Sequence, residues 1–281
     1  MANRTTRKTV VRKKPIKSKS SSFSQRFYIF ISLFIVLIVI SIHYRETISY
    51  YFGFKSDKIF QENKITKERI FQVLNSHKDF VYGFDVSEFQ GQIHWDQIDS
   101  LDQKFPLHFV FIRATAGSDK KDSRFDENWE QSKLNHFIRG AYHYYRPNEN
   151  SVAQATNFIN AVKLTKGDFP PILDIEQMPE NQSLDSLKAG LKRWLKIVDK
   201  HYEVKPIIYT NEKYYTDFLK KDFPKYKFWI ANYNSWVLKI DDDWLFWQFT
   251  DKGKLNGINE KVDINIYNGT PKMMDYIILS N

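Results

Sequence analysis

The chain has 281 residues, 42% hydrophobic and 16% aromatic, with a formal net charge of +9 and no cysteine. A disulfide scaffold and a thiolate metal site are therefore excluded. Nine of its 42 cations fall in the first 26 residues, which hold no acid, leaving 33 cations against all 33 acids in the remainder. A neutral remainder gives no basic face for a phosphate backbone, so no nucleic-acid partner is expected.

In chain order, residues 1–26 read as a basic cytoplasmic tail. Phe27 to Tyr44, FYIFISLFIVLIVISIHY, follows as an apolar run of eighteen residues bounded by Arg26 and Arg45. As a helix it would span about 27 Å, close to a bilayer core. With the cations before it, the positive-inside rule sends the rest of the chain outward. The run is long for a signal peptide and no small-x-small site follows, so it reads as an uncleaved transmembrane signal anchor. The expected partner of residues 27–44 is the lipid bilayer. The expected address is a membrane, with the remaining domain on its outer side. Residues 45–78 read as a stalk with a short helix around Ile65, Ile70, Phe71 and Leu74.

From residue 79 to 281 short β-type runs alternate with helical ones. Strands are expected at Phe80–Val86, His108–Ala114, Ile138–Tyr145, Pro171–Glu176, Lys205–Thr210, Lys227–Asn232, Trp244–Thr250 and Val262–Ile266. Helices are expected at Phe125–His136, Val152–Leu164, Leu184–His201 and Glu212–Lys221. The alternation indicates an α/β fold with parallel strands. The number eight points to a TIM-like barrel, whose working face is at the strand C-termini.

Four acids sit in or near the ends of three of these strands: Asp85, the pair Asp174 and Glu176, and Asp263. Asp174 and Glu176 are two residues apart, so on a strand they share a face, roughly 6–7 Å apart. Carboxylates that crowd one another raise each other's pKa, and a protonated acid beside an ionised one is what glycosidic cleavage needs. Trp95, Tyr142, Tyr144, Trp229, Tyr233, Trp247 and Phe249 accompany them, as stacking faces for sugar rings or as core. His143 reads as a packed strand residue. No metal spacing, Gly-rich phosphate loop or G-x-S-x-G elbow is present, and no cofactor is expected.

The strings GFDVSEFQGQIHW (83–95), FVFIRATAG (109–117), RGAYHYYRP (139–147), PPILDIE (170–176), PIIYTN (206–211), FWIANY (228–233) and FWQFTDKGKLNGINEKVDINIYNG (246–269) occur in one order. Together they resemble the family 25 glycoside hydrolases, the muramidases or lysozymes of bacteria and phages. The resemblance covers about residues 80–270. It implies a modified barrel of eight strands and about five helices. It also implies hydrolysis of the β-1,4 bond between N-acetylmuramic acid and N-acetylglucosamine in peptidoglycan, in cell-wall remodelling.

By that resemblance Glu176 is the general acid/base, Asp174 its partner on the same strand, and Asp85 and Asp263 the acids of the first and last strands. Candidate substrate contacts are Tyr142, Tyr144, Trp229, Tyr233, Trp247, Gln248 and Arg113. Asp174 could attack the anomeric carbon or orient the substrate's N-acetyl group as nucleophile; the i, i+2 placement favours the second. The sequence departs from the family pattern at Glu88 and Phe89, where His and Trp are usual, and at Ala116, where Glu is usual. Ala116 and the permanent anchor keep open a second expectation, a membrane-anchored peptidoglycan-binding module with little turnover.

Overall fold

All eight expected strands are present, and they close on themselves. The computed structural model describes residues 22–44, 64–234 and 236–280. The barrel strands are β1 (Val81–Val86), β3 (Phe105–Ala116), β5 (Ile138–Tyr144), β6 (Ile172–Asp174), β7 (Ile207–Asn211), β8 (Lys227–Ala231), β9 (Phe246–Gly253) and β10 (Val262–Tyr267). Two short strands, β2 (Ser100–Leu101) and β4 (Lys120–Lys121), pair with β3 outside the ring. The ring runs β1–β3–β5–β6–β7–β8–β9–β10 and closes by the pairing of β10 with β1.

The pairings from β1 through β9 are parallel, whereas β10 is antiparallel to both β9 and β1. The connections explain the reversal. Parallel neighbours need a crossover of a dozen or more residues, and 254–261 is too short to supply one. One consequence matters for the site: Asp263 lies at the start of β10, in register with Asp85 near the end of β1. An N-terminal strand end therefore joins seven C-terminal ones at the same mouth.

Helices pack outside the ring. They are α2 (the helical residues 64–76), α3 (Phe125–Leu134), α4 (Ser151–Ala161), α5 (Leu184–Tyr202), α6 (Glu212–Tyr214, continued as a π-turn at Tyr215–Leu219) and α7 (Pro271–Met274). In α5 the apolar stripe Leu187, Leu191, Trp194, Leu195 and Val198 is buried at helical spacing. Ser183 caps its first turn by accepting from the Ser186 amide, and Lys200 and His201 complement the dipole at its end. The expected helix at Glu212–Lys221 forms only one α-turn before widening.

The chain divides into two compact units, Met1–Asn63 and Lys64–Asn281. The second begins earlier than the expected boundary at 79. Residues 64–78 are part of the domain rather than stalk, because Val73 and Leu74 are wholly buried in the core and Arg69 and His77 are buried beside them. The Tyr82 hydroxyl of β1 donates to the Leu74 and His77 carbonyls, at 3.0 and 2.6 Å, and fastens the two segments. In the first unit, α1 spans Ser22–His43, where the apolar run was expected. Its side chains from Phe27 to Ile40 include a continuous set of exposed large hydrophobics. Among the described residues no helix is long and apolar enough to cross a membrane. The basic tail at 1–21 and the stalk residues 45–63 lie outside the described residues.

Inside the barrel, the alternation of each strand sorts its residues by height. Val81, Phe109, Phe111, Ile172, Ile207, Phe246 and Tyr267 fill the lower interior as one apolar cluster. Two residues further toward the mouth, the same inward faces carry Arg113, Asp174, Tyr209, Gln248 and Asn265, and on β1 Asp85 follows four residues after Val81, with Gly83 between. Phe109 fits only because Gly83 faces it: a Cβ on Gly83 would lie 2.4 Å from its ring. Gly83→Ala should therefore lower stability by about 1–3 kcal/mol through overpacking. Chemical denaturation would measure it, and an unchanged midpoint would contradict this packing.

Candidate active site

The mouth of the barrel opens into a cleft of about 450 Å³ lined by Asp85, Arg113, Tyr142, Asp174, Glu176 and Asp263, with Phe89, Lys120, Tyr144 and Arg146 on its rim. A smaller cavity of about 120 Å³ lies beneath, shared by the same four acids with Tyr142, Tyr209, Trp229 and Gln248. Three strands thus deliver four carboxyl groups to one cleft. β6 stops at Asp174, but the Ile175 amide still donates to the Tyr209 carbonyl at 3.0 Å. The chain stays extended there, and Glu176 keeps the same face as Asp174.

Asp85 is held from below. Its Oδ2 accepts from Gln248 Nε2 at 2.7 Å and from Asn265 Nδ2 at 2.8 Å. Gln248 Oε1 in turn accepts from the Tyr209 hydroxyl at 2.7 Å and from the Tyr233 hydroxyl. Asn265 Oδ1 accepts from the Trp229 indole at 2.8 Å. These partners fix both amides in the orientation that points their N–H groups at Asp85. Asp174 differs: it is buried, yet its Oδ1 has no hydrogen-bond partner. A buried carboxyl oxygen left unpaired is costly unless a proton or a ligand meets it.

The electrostatics follow from this crowding. Burial, then Asp263, then Glu176 hold the Asp85 carboxyl well above the usual range, despite the lowering by its two amide donors. Burial, Glu176 and Asp85 do the same for Asp174. Burial, with Asp251 and Glu176, pushes Asp263 up to about 7. Burial also raises Glu176, more gently in effect since its side chain stands exposed at the mouth while protein crowds its inner side. The opposite wall is cationic. Arg113 donates to Asp122 at 2.8 Å and to Glu88 at 3.0 Å and lies 4.7 Å from the Phe89 ring. Glu88 also binds Lys120 and Ser123, and the Lys120 ammonium above all holds its pKa down to about 2.

Similarity to known proteins decides what this cleft belongs to. Residues 84–258 match the family model for glycosyl hydrolases family 25. The chain is 33% identical to protein YegX of Escherichia coli O6:H1, covering 88% of this chain and 92% of YegX. It is 31% identical to lysozyme M1 of Streptomyces globisporus, covering 68% of each. Its fold matches a family 25 glycosyl hydrolase from Bacillus anthracis with a TM-score of 0.64 and 28% identity, over 72% of this chain and 95% of that one. The chain belongs to glycosyl hydrolase family 25. It is a glycoside hydrolase on the barrel expected from its sequence.

Against that family 25 barrel, most of the expected site residues converge. Asp85, Asp174, Glu176, Asp263, Tyr142, Tyr144 and Arg113 line the upper cleft, and Trp229 and Gln248 line the cavity below. Tyr233 stands beside the cleft, reaching it through its hydroxyl. Trp247 does not: it is 0% exposed, on the outward face of β9, packed on His77 and Phe249 with its indole donating to the Asn232 carbonyl. Phe249 and Trp95 are likewise outer core, Trp95 against Phe84 and Phe137. As expected, His143 is packed: it bonds Thr115 and Gln154, stacks on Trp194, and burial lowers its pKa to about 4. The sequence reading missed Tyr209 and Asn265, which complete the support of Asp85. Asn265 was within reach, since it shares a strand face with Asp263 two residues away.

Two buried acids, Asp85 and Asp174, and the half-buried Asp263, all with raised pKa, give the hydrolase a pH signature. Their carboxyls bind protons more tightly folded than unfolded, so the stability they contribute is complete below about pH 4. It is lost as pH rises through their folded values, for Asp263 through about 7. Asp263→Asn should therefore gain stability over the native chain at pH 8, on the order of 2 kcal/mol after allowing for the solvent in the cleft, and almost none near pH 3. Thermal unfolding of both proteins at the two pH values measures it; an equal change at both would refute the raised pKa.

Proposed function

We propose that this hydrolase is a muramidase, cleaving the β-1,4 bond between N-acetylmuramic acid and N-acetylglucosamine in peptidoglycan. The observation that carries the reading is the single cleft in which Glu176 stands at the mouth and Asp174 presents an unpartnered buried oxygen beside it. Lysozyme M1 and the N,O-diacetylmuramidase of Chalaropsis sp. among its relatives point the same way.

Glu176 is the proton donor. Its raised pKa keeps it protonated at a pH where an ordinary glutamate is ionised, so it protonates the leaving oxygen and afterwards takes a proton from the attacking water. Asp174 lies on the same strand face as Glu176, which does not suit attack from the opposite side of the sugar. Its unpartnered Oδ1 instead accepts the N–H of the substrate's acetamido group, turning the acetamido oxygen onto the anomeric carbon and stabilising the positive charge that builds there. That is substrate assistance rather than a glycosyl-enzyme. Asp85 and Asp263 hold the remaining field of the cleft. A chain built only to hold glycan gains nothing from four mutually repelling carboxyl groups, which favours turnover over a binding module.

The hydrolase works from a membrane in this reading. Phe27–Tyr44 is apolar, nine cations precede it, and the large side chains of α1 are exposed. No described helix by itself is long and apolar enough to cross a membrane. The apolar run of the sequence, with its preceding cations, is nevertheless the proposed single-pass signal anchor of a bacterial cytoplasmic membrane, the N-terminus cytoplasmic and the catalytic domain on the wall side. A tethered enzyme reaches only nearby wall, which suits local remodelling. The test is direct: the purified full-length protein should release soluble fragments from isolated sacculi, and in cells it should pellet with membranes and resist carbonate extraction. No release from sacculi would remove the muramidase reading; extraction by carbonate would remove the anchor.

A further inference from the structure

Beside the catalytic cleft lies a second pocket of about 340 Å³ that the reaction does not use. Its walls are Ile65, Thr66 and Arg69 of α2, Tyr233, Asn234 and Trp236 after β8, and Thr250, Asp251 and Lys252 of β9. Its volume falls in the range of small-ligand sites. Trp236 is 78% exposed and Tyr233 43%, so two aromatic faces stand open at one rim. Exposed large aromatics grouped in a concave site are uncommon on a monomer unless something covers them.

Tyr233 and Asp251 link the pocket to the catalytic cleft. Tyr233 forms part of its wall, while the same residue's hydroxyl donates to Gln248 and lies beside Asp263. Asp251, on the pocket's other side, is close enough to raise the pKa of Asp263. The pocket is also held in shape. Buried Arg69 donates to the carbonyls of Asn234 at 3.1 Å, Asn232 and Val237 at 3.4 Å, and Phe249. One guanidinium from α2 thus ties down the segment that carries Tyr233 and Trp236. α2 precedes the family-matched stretch, which begins at residue 84.

We propose that this pocket is an accessory glycan subsite, occupied by a saccharide unit of the same strand beyond the pair being cleaved. The proposal rests on the muramidase reading. A pyranose presents a face of C–H groups that stacks on an indole, and its hydroxyl and acetamido groups need polar partners. Trp236 supplies the first, and Asp251, Asn234 and Thr250 the second. Lys252 faces the same space with a cation suited to the carboxylate of a muramic unit. A saccharide fits these walls better than a protein partner does, since the apolar surface is narrow and Tyr233 and Asp251 connect it to a site for sugar. α2 then acts as part of the binding surface, and the enzyme favours long strands over short fragments.

The experiment compares Trp236→Ala and Trp236→Phe with the native full-length protein on long glycan strands and on the shortest oligosaccharide that the native protein cleaves. On long strands Trp236→Ala should lower kcat/KM about tenfold, the size of one stacking contact, through KM rather than kcat. On the shortest oligosaccharide it should match the native protein, and Trp236→Phe should recover most of the loss. Equal loss on both substrates, or none on long strands, would overturn the subsite. Should the native protein cleave neither, the muramidase reading falls instead. The subsite is then judged by co-sedimentation with sacculi: about tenfold weaker binding by Trp236→Ala upholds it, and equal binding overturns it.

Discussion

Glu176→Gln should lower kcat on peptidoglycan by about 10³-fold, the scale of one lost general acid and about 4 kcal/mol of transition-state stabilisation. Glutamine keeps the shape and the exposed position at the mouth, so the variant should fold and bind sacculi as before, with stability within about 0.5 kcal/mol. Glu176 must be protonated to act, and burial raises its pKa. The native kcat/KM should then fall on the alkaline side, with its inflection above the ordinary glutamate range. The variant's residual rate should lack that limb. A variant within tenfold of native would remove Glu176 from the chemistry.

Asp174→Asn carries the second large effect, a loss of about 10²-fold in kcat, at the lower end of what a positioned carboxyl contributes. Asparagine fits the buried space but cannot form the carboxylate that the developing positive acetamido charge draws out of Asp174 against its raised pKa. Two readouts separate this role from direct attack. Strands whose muramic units lack the N-acetyl group should resist the native protein as strongly as ordinary strands resist the variant. Added azide should not rescue Asp174→Ala. Rescue by azide with a glycosyl azide as product would make Asp174 the nucleophile, because azide replaces an attacking carboxylate but not an orienting one. Fresh product of inverted configuration alone would exclude both.

Much of this site could be read from two-residue periodicity. Asp174 and Glu176 had to share a face, and with Asp85 and Asp263 at other strand ends the four-carboxyl cleft follows. What periodicity alone did not give was which face of a strand apolar on both sides looks inward. In Phe246-Trp247-Gln248-Phe249 both parities are buried, and Trp247 was placed in the groove although it belongs to the outer core. Gln248 held the answer: one amide in an apolar run faces the polar mouth, so its neighbour Trp247 must face out. The direction of β10 was hidden for a different reason, since it depends on the length of 254–261 rather than on any residue in the strand. The residues of α2 looked like stalk because the helix buries only a narrow stripe, Arg69, Val73, Leu74 and the following His77, against a domain that sequence alone does not display.

The departures at Glu88, Phe89 and Ala116 take on physical meaning once the cleft is assembled. Glu88 is bound by Arg113, Lys120 and Ser123 and fully ionised, so it organises the cationic wall rather than adding a fifth titrating acid to the mouth. Phe89 lies over the Arg113 guanidinium and keeps it against Asp122. Ala116 lines the same cleft and leaves room there. None of the three touches the support of Asp85 by Gln248 and Asn265.

The most direct test of the central claim is the chemical identity of the new reducing end. Sacculi digested with the full-length protein, reduced with borohydride and hydrolysed, should yield the alditol of N-acetylmuramic acid in an amount that grows with digestion and is absent with Glu176→Gln. The alditol of N-acetylglucosamine in its place would assign the enzyme to the other bond of the strand and contradict the account.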